Sequence, residues 1–166
     1  MHIIAQTPDF VIRNFTPEEE DAYMALFDDE QVTQHLPYRT RQEHIKIFKQ
    51  ALDDYAEHNG LGRWGIFNNV DDDFMGFCLL RNYEDEEGKV EVGYAMHKKY
   101  WGKGIASEMA IIMVGYALTH TDAKEIIGVT TLGNIGSQKV LEKAGLVREN
   151  NFMREGKELA YFRLKR

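Results

Sequence analysis

Apolar positions change their period several times along the chain, and each change marks an element. Phe10-Val-Ile-Arg-Asn-Phe15 alternates with period two, the pattern of a half-buried strand. Thr16-Pro17-Glu18-Glu19 then reads as a helix start, with Thr16 as N-cap, Pro17 in the first turn and Glu19 closing a capping box. One helix is expected to follow, burying Ala22, Tyr23, Leu26 and Phe27. Thr40 and Glu43 repeat the start signal, and Ile45, Phe48, Leu52 and Tyr55 follow at helical spacing up to Asn59-Gly60. From Gly62 to Met96 the pattern is that of strands. Residues 63–67 and 75–80 flank a turn-rich stretch, and a second hairpin through Tyr83 to Gly88 leads into 89–96. A glycine-bearing loop then opens a long helix over roughly 104–119. A buried strand is expected over 124–130, a helix over 134–144 ended by Gly145, and a closing hairpin from 146–153 and 158–164. The order β-α-α-β-β-β-α-β-α-β-β predicts an α+β or mixed α/β domain with a largely antiparallel sheet.

The chain has 166 residues, the size of one domain, and no repeat or linker divides it, so a single domain over 1–166 is expected. Twenty Lys and Arg against 27 Asp and Glu give a net charge of −7, which excludes a nucleic-acid binder of the broad basic-face kind. A single cysteine, Cys78, excludes a disulfide framework. No opening basic segment followed by an apolar run is visible, and no apolar stretch is long enough to span a membrane. A cytoplasmic protein is the expectation.

Charge gives way to local chemistry at Lys99-Tyr-Trp-Gly102-Lys-Gly104-Ile-Ala106. Two glycines two apart permit a tight turn and leave backbone amides uncovered. At a helix N-terminus such amides suit a phosphate or pyrophosphate. Lys98, Lys99 and Lys103 add positive charge, with no acid between His97 and Ala106. The P-loop pattern fails for want of an earlier glycine and a Lys-Ser or Lys-Thr pair, and the dinucleotide fingerprint fails because Ser107 stands where its third glycine belongs. Taken alone, the loop also reads as a helix-starting turn with surface lysines.

Three segments together resemble the GNAT acetyltransferases, most closely the RimJ/RimL-type branch that acetylates protein N-termini and other amines. They are Val90-Glu-Val-Gly-Tyr-Ala-Met96, the loop Lys99-x-x-Gly-x-Gly-x-Ala106 with Glu108, and Asn134-x-x-Ser137-x-x-Val-Leu-Glu-Lys-Ala-Gly145-Leu146. The resemblance implies a GNAT-like fold, with a central mostly antiparallel twisted sheet flanked by helices, and acetyl-CoA as co-substrate. It implies that the amides of Trp101, Gly102, Lys103, Gly104, Ile105 and Ala106 bind the pyrophosphate, with Lys99 where the family has Gln or Arg. The backbone of Tyr94, Ala95 and Met96 would hold the pantetheine arm as a sheet holds an added strand. A bulge at Gly93 and an oxyanion-stabilising amide at or beside Met96 belong to the same implied picture. Asn134 matches the family asparagine that contacts the cofactor.

Acetyl transfer to nitrogen needs a base, because an ammonium has no lone pair. Glu91 is the candidate; its alternative reading is a strand glutamate in a ladder with Lys89. Ser137 matches a serine of the resembling branch and is the candidate proton donor to the leaving thiolate, whereas Leu141 stands where many superfamily members carry Tyr. Ser137 also reads as a first-turn helix cap. The six histidines form no close ligand pair, so no metal is expected.

In the resembling family the acceptor site comes from the first two helices, their connection and the last hairpin. Residues 18–30 are rich in acids, either a solvated face or a rim for a cationic amine, and Gln34-His-Leu-Pro-Tyr-Arg39 forms the connection. The implied acceptor is a primary amine, on a protein N-terminus such as that of a ribosomal protein or on a small molecule. The enzyme would be a monomer or homodimer, without nucleic-acid or membrane partners. The alternative function is a non-catalytic CoA-binding sensor or interaction module on the same fold.

Overall fold

The computed structural model describes residues 2–166. Strands β1 (Ile3–Gln6) and β2 (Phe10–Arg13) lead to helices α1 (Glu20–Ala25), α2 (Glu30–Thr33) and α3 (Arg41–Asp54). Strands β3 (Gly62–Asn68), β4 (Phe74–Asn82) and β5 (Lys89–Met96) follow, then α4 (Ile105–His120), β6 (Glu125–Thr131) and α5 (Ile135–Lys143). Strands β7 (Val147–Arg148), β8 (Phe152–Arg154) and β9 (Lys157–Lys165) end the chain.

Both capping signals form. Glu19 accepts a hydrogen bond from the Thr16 amide at 2.9 Å, and Glu43 accepts one from the Thr40 amide at 3.0 Å while Thr40 Oγ1 receives the Glu43 amide at 3.2 Å. The single helix expected after Thr16 does not. Asp29 has extended backbone angles, and its side chain accepts from the Gln31 amide at 2.8 Å, starting α2 afresh. A short polar side chain that bonds nearby backbone competes with the helix at that point. Strand β1 was not expected either; it pairs antiparallel with β2, from Ile3↔Arg13 to Gln6↔Val11, across an irregularity between Ile3 and Ala5.

The chain packs as two compact units, and β4 and β5 each contribute to both. The first holds residues 2–58, Gly62–Leu79 and Tyr94–Lys103. Its strands follow the order β1-β2-β3-β4-β5, and β2 pairs antiparallel with β3 from Phe10↔Asn68 to Arg13↔Gly65. An aromatic core joins the helices to the strands: Phe15, Tyr23, Phe48, Phe67, Phe74 and Phe77 pack together with Ala95. Phe15 meets Tyr23 and Phe48 edge-on at 5.5 and 5.3 Å between centroids, the geometry that aromatic quadrupoles favour.

The second unit holds Asn59–Leu61, Leu80–Gly93 and Gly104–Arg166. Here the order is β5-β6-β9-β7, with β8 also on β9. The β5–β6 pair is parallel, over Lys89↔Glu125 to Glu91↔Ile127, with α4 as the crossover that a parallel pair requires. All pairings of β9 are antiparallel. The closing hairpin is β8–β9, and Glu155 and Gly156, both at positive φ, make its turn.

Leu141 of α5 is buried over Gly128 of β6, where an added Cβ would lie 2.6 Å from the leucine Cδ2. Gly128→Ala is therefore expected to lower stability by about 1–3 kcal/mol through overpacking, seen as an earlier unfolding midpoint in denaturant. Among the described residues, no helix is long and apolar enough to cross a membrane.

Candidate active site

In the first unit, β5 ends where a turn begins. The His97 amide bonds Met75 O at 2.8 Å, and Lys98–Tyr100 then form one 3₁₀ turn. Trp101 is part-exposed, and its indole N–H donates to Met96 O at 2.9 Å, which ties the loop to the strand. Ala95 and Met96 are buried, and Tyr94 is partly so. Strand β4 comes close here: a Cβ at Gly76 would stand 2.2 Å from Ala95 O and 2.7 Å from Met96 Cα. Only glycine permits that approach of the two backbones.

The loop is less basic than its sequence suggests. Asp73 pairs with Lys99 at 2.6 Å and also accepts the Tyr100 hydroxyl, and these two contacts hold its carboxyl below the usual range. Lys99 is therefore already neutralised by an acid 26 positions earlier in the chain. Lys103 remains beside the Tyr100 ring, 5.8 Å from its centroid. His97 is held below its ordinary value, first by burial and then by Lys99.

Gly102 and Gly104 have φ of 74° and 78°, the left-handed region that side chains resist, and a Cβ at either would meet nothing within 4 Å. The space over both positions is open. In the second unit, Gly104 is the N-cap of α4 and has no side chain with which to cap it. The helix's first backbone bond runs from the Glu108 amide to Gly104 O at 3.1 Å. The amides of Ile105, Ala106 and Ser107 precede that bond and so have no intrahelical acceptor. With the positive end of a 16-residue helix behind them, they suit a phosphate-type anion.

Glu91 lies in the second unit, buried, with its carboxylate gripped from two sides. Arg81 Nη2 approaches Oε2 at 3.1 Å and Arg154 Nη2 approaches Oε1 at 3.4 Å. The expected alternative, a ladder with Lys89, does not occur: Lys89 pairs with Glu86 at 2.5 Å and Glu125 at 3.4 Å. Arg154 also reaches Glu84 at 3.3 Å and stands over the Tyr83 and Phe152 rings at 5.6 and 5.4 Å. Two arginines, one from β4 and one from β8, therefore fix the position of the Glu91 carboxylate.

Sequence reasoning missed both arginines. Arg81 was within reach of it, because the bond from the Tyr83 amide to Lys89 O sets a hairpin register that places Arg81 opposite Glu91. Nothing local could have found Arg154, which is 63 positions away.

At α5 the capping role belongs to Asn134, whose Oδ1 accepts from the Ser137 amide at 3.2 Å. Ser137 occupies the third helical position, so the reading of its side chain as the cap is corrected, and its partly exposed hydroxyl lies outside that arrangement. Cys78 is fully buried, and burial pushes its thiol far above the ordinary value, which suits an inert core residue. Among the described residues no group of three or more His, Cys, Asp or Glu is placed to hold a metal.

In sequence and fold the chain is similar to known proteins. The model of a family described as the acetyltransferase (GNAT) domain matches residues 9–147. A Bacillus licheniformis protein described as the uncharacterized N-acetyltransferase p20 is 26% identical over 151 residues, which cover 86% of this chain and 84% of that protein. The crystal structure of a GNAT-family acetyltransferase from Bacillus anthracis matches with a TM-score of 0.82 at 20% identity, over 99% of this chain and 98% of its own. RimL, described as a ribosomal L7/L12 alpha-N-protein acetyltransferase in complex with coenzyme A, matches with a TM-score of 0.82 at 14% identity, over 99% and 98%.

Proposed function

We propose that this chain, which belongs to the GNAT acetyltransferase family and is an acetyl-CoA N-acetyltransferase, transfers the acetyl group directly to a primary amine. The acceptor is a protein or peptide N-terminus or a small-molecule amine. The observation that carries this reading is the start of α4. A left-handed glycine N-cap without a capping side chain exposes amides that lack an acceptor, the arrangement a pyrophosphate fills.

In this reading the amides of Gly104, Ile105 and Ala106 take the pyrophosphate, and Trp101, Gly102 and Lys103 continue the contact along the preceding loop. The backbone of Tyr94, Ala95 and Met96 holds the pantetheine arm, and the Asn134 amide group, whose Nδ2 is not used by the cap, contacts the cofactor. Glu91 takes the ammonium proton, directly or through water, and Ser137 returns a proton to the thiolate. The RimL neighbour supports an N-terminal acceptor, since its described activity is of that kind.

Two neighbouring substitutions separate capping from chemistry. Asn134→Ala is expected to cost about 1 kcal/mol of stability through the lost cap. Ser137→Ala is expected to leave stability within about 0.5 kcal/mol while turnover falls roughly 100-fold. Denaturant melts and steady-state rates of the two proteins check both statements. Full activity in Ser137→Ala removes it as proton donor.

The other class of function, a CoA-binding module without chemistry, is separated by one assay. Purified protein is given acetyl-CoA and a panel of peptide N-termini and small amines, and free CoA thiol is followed. Amine-dependent thiol release supports the enzyme. Tight acetyl-CoA binding with no release above background across the panel would favour the module.

A further inference from the structure

The two arginines on Glu91 do not hold it equally. Arg81 has 45% of its side chain open to solvent, so water can replace much of what it gives to Oε2. Arg154 is 23% exposed and the Glu91 side chain 8%, so their contact at Oε1 is the more sheltered of the two.

The closing hairpin prepares Arg154 for that contact. Its two-residue turn, Glu155 and Gly156, fixes a register in which Arg154 faces Lys157 and Phe152 faces Leu159. Side chains two apart on a strand share a face, and the Arg154 guanidinium accordingly stands over the Phe152 ring at 5.4 Å. On its other side is the Tyr83 ring at 5.6 Å, and Tyr161 of β9 meets Tyr83 at 5.8 Å and Phe152 at 5.5 Å, both edge-on. Glu84, in the connection from β4 to β5, accepts from Arg154 Nε at 3.3 Å. Rings and a second carboxylate therefore restrict the guanidinium, and its Nη2 is left to meet Glu91.

A glutamate has three rotatable side-chain bonds, and a general base works only within hydrogen-bond reach of the proton it takes. A restricted donor on one carboxylate oxygen removes most of that freedom. We propose that Arg154 is a positioning residue for acetyl transfer, holding the Glu91 carboxylate in the orientation from which it takes the ammonium proton. This inference rests on Glu91 as the base, and it makes the closing hairpin the element that sets that base.

The test is a double-substitution cycle read in kcat, with Arg154→Gln, Glu91→Gln and the two combined, each rate taken per folded molecule. Arg154→Gln is expected to lower kcat roughly 10- to 100-fold, as a misplaced group does, with the acetyl-CoA dissociation constant within about 2-fold of wild type. In the Glu91→Gln background the same substitution is expected to cost less than about 3-fold more, because a residue that acts through Glu91 has nothing left to position. Arg154→Lys keeps the charge without the planar fork and is expected to fall between wild type and Arg154→Gln. Arg81→Gln is expected to lose no more than about 5-fold.

Wild-type kcat in Arg154→Gln, even with a lower unfolding midpoint, would assign Arg154 to the fold alone. Losses that multiply in the combined variant would show that it acts apart from Glu91. Either result overturns the positioning role and leaves the base in place, since Glu91→Gln alone stays impaired. If Glu91→Gln turns over at the wild-type rate, the base reading falls and the positioning role with it. Should Arg154→Gln not fold, Arg154→Lys takes its place in the cycle, with a loss that again disappears in the Glu91→Gln background.

Discussion

Gly104→Glu is expected to remove acetyl-CoA binding from a protein that still folds, weakening the dissociation constant by roughly 100-fold or more. Gly104 sits at φ 78°, so any Cβ there costs about 1–2 kcal/mol of backbone strain, which a folded domain can absorb. Nothing in the protein lies within 4 Å of that Cβ, so no packing is disturbed. What the new carboxylate meets is the open space at the start of α4, where it can bond the free amides itself and repel a pyrophosphate.

Gly115→Glu is the charge-matched control, because that exposed glycine in the interior of α4 also has open space around it. Its acetyl-CoA affinity is expected to stay at wild-type level, with stability equal or slightly higher. Calorimetric titration of both proteins decides the matter. Equal affinity in Gly104→Glu and wild type would refute the assignment of the loop.

Glu91→Gln carries the second large effect. The amide keeps the shape, but its one oxygen can accept from only one of Arg81 and Arg154, and it cannot take a proton. If Glu91 is the base, kcat falls by about 100-fold or more while acetyl-CoA affinity is kept. The loss is greatest at low pH, where the acceptor is an ammonium, and shrinks as pH rises and solution delivers free amine. A residue that only anchored two arginines would give a different pattern. Arg154, largely screened from solvent, would keep Glu84 but lose its buried charged partner, so the unfolding midpoint would drop while turnover per folded molecule and its pH profile stayed as in wild type.

How much of this was legible in the sequence depends on range. Helix starts at Thr16 and Thr40 could be read because a capping box is complete within four residues. The end of α5 was readable for the same reason: Gly145, at φ 97°, follows the last turn, and the Leu146 amide closes on Leu141 O at 3.1 Å. The glycine loop was readable as a helix start with bare amides, and the structure places both glycines in the left-handed region. The break at Asp29 was not, because an aspartate caps or continues a helix according to backbone angles that its neighbours decide.

Electrostatic partners were the least legible. Lys99 looks free in a run without acids, yet Asp73 reaches it from the β3–β4 turn. Glu91 looks like a surface glutamate, yet the last hairpin brings Arg154 to it. Of the acids near the first helix, Glu19 is claimed by Arg13 at 2.8 Å and Asp29 by its cap, which leaves Glu20 half-buried and Glu18, Asp21, Asp28 and Glu30 exposed. Those five remain for a rim. In each case the sequence names the charge, but folding chooses its partner.

In the proposed reaction, acetyl passes from CoA straight to the nitrogen of the acceptor. A single-turnover experiment tests it most directly: protein in excess over acetyl-labelled acetyl-CoA is mixed with an amine that supports CoA release, and quenched samples are read by mass spectrometry. Label is expected on the acceptor nitrogen, appearing in step with free CoA, and none on the protein. Label that passes through a protein side chain, or acetyl-CoA that stays bound and intact with every amine, would contradict it.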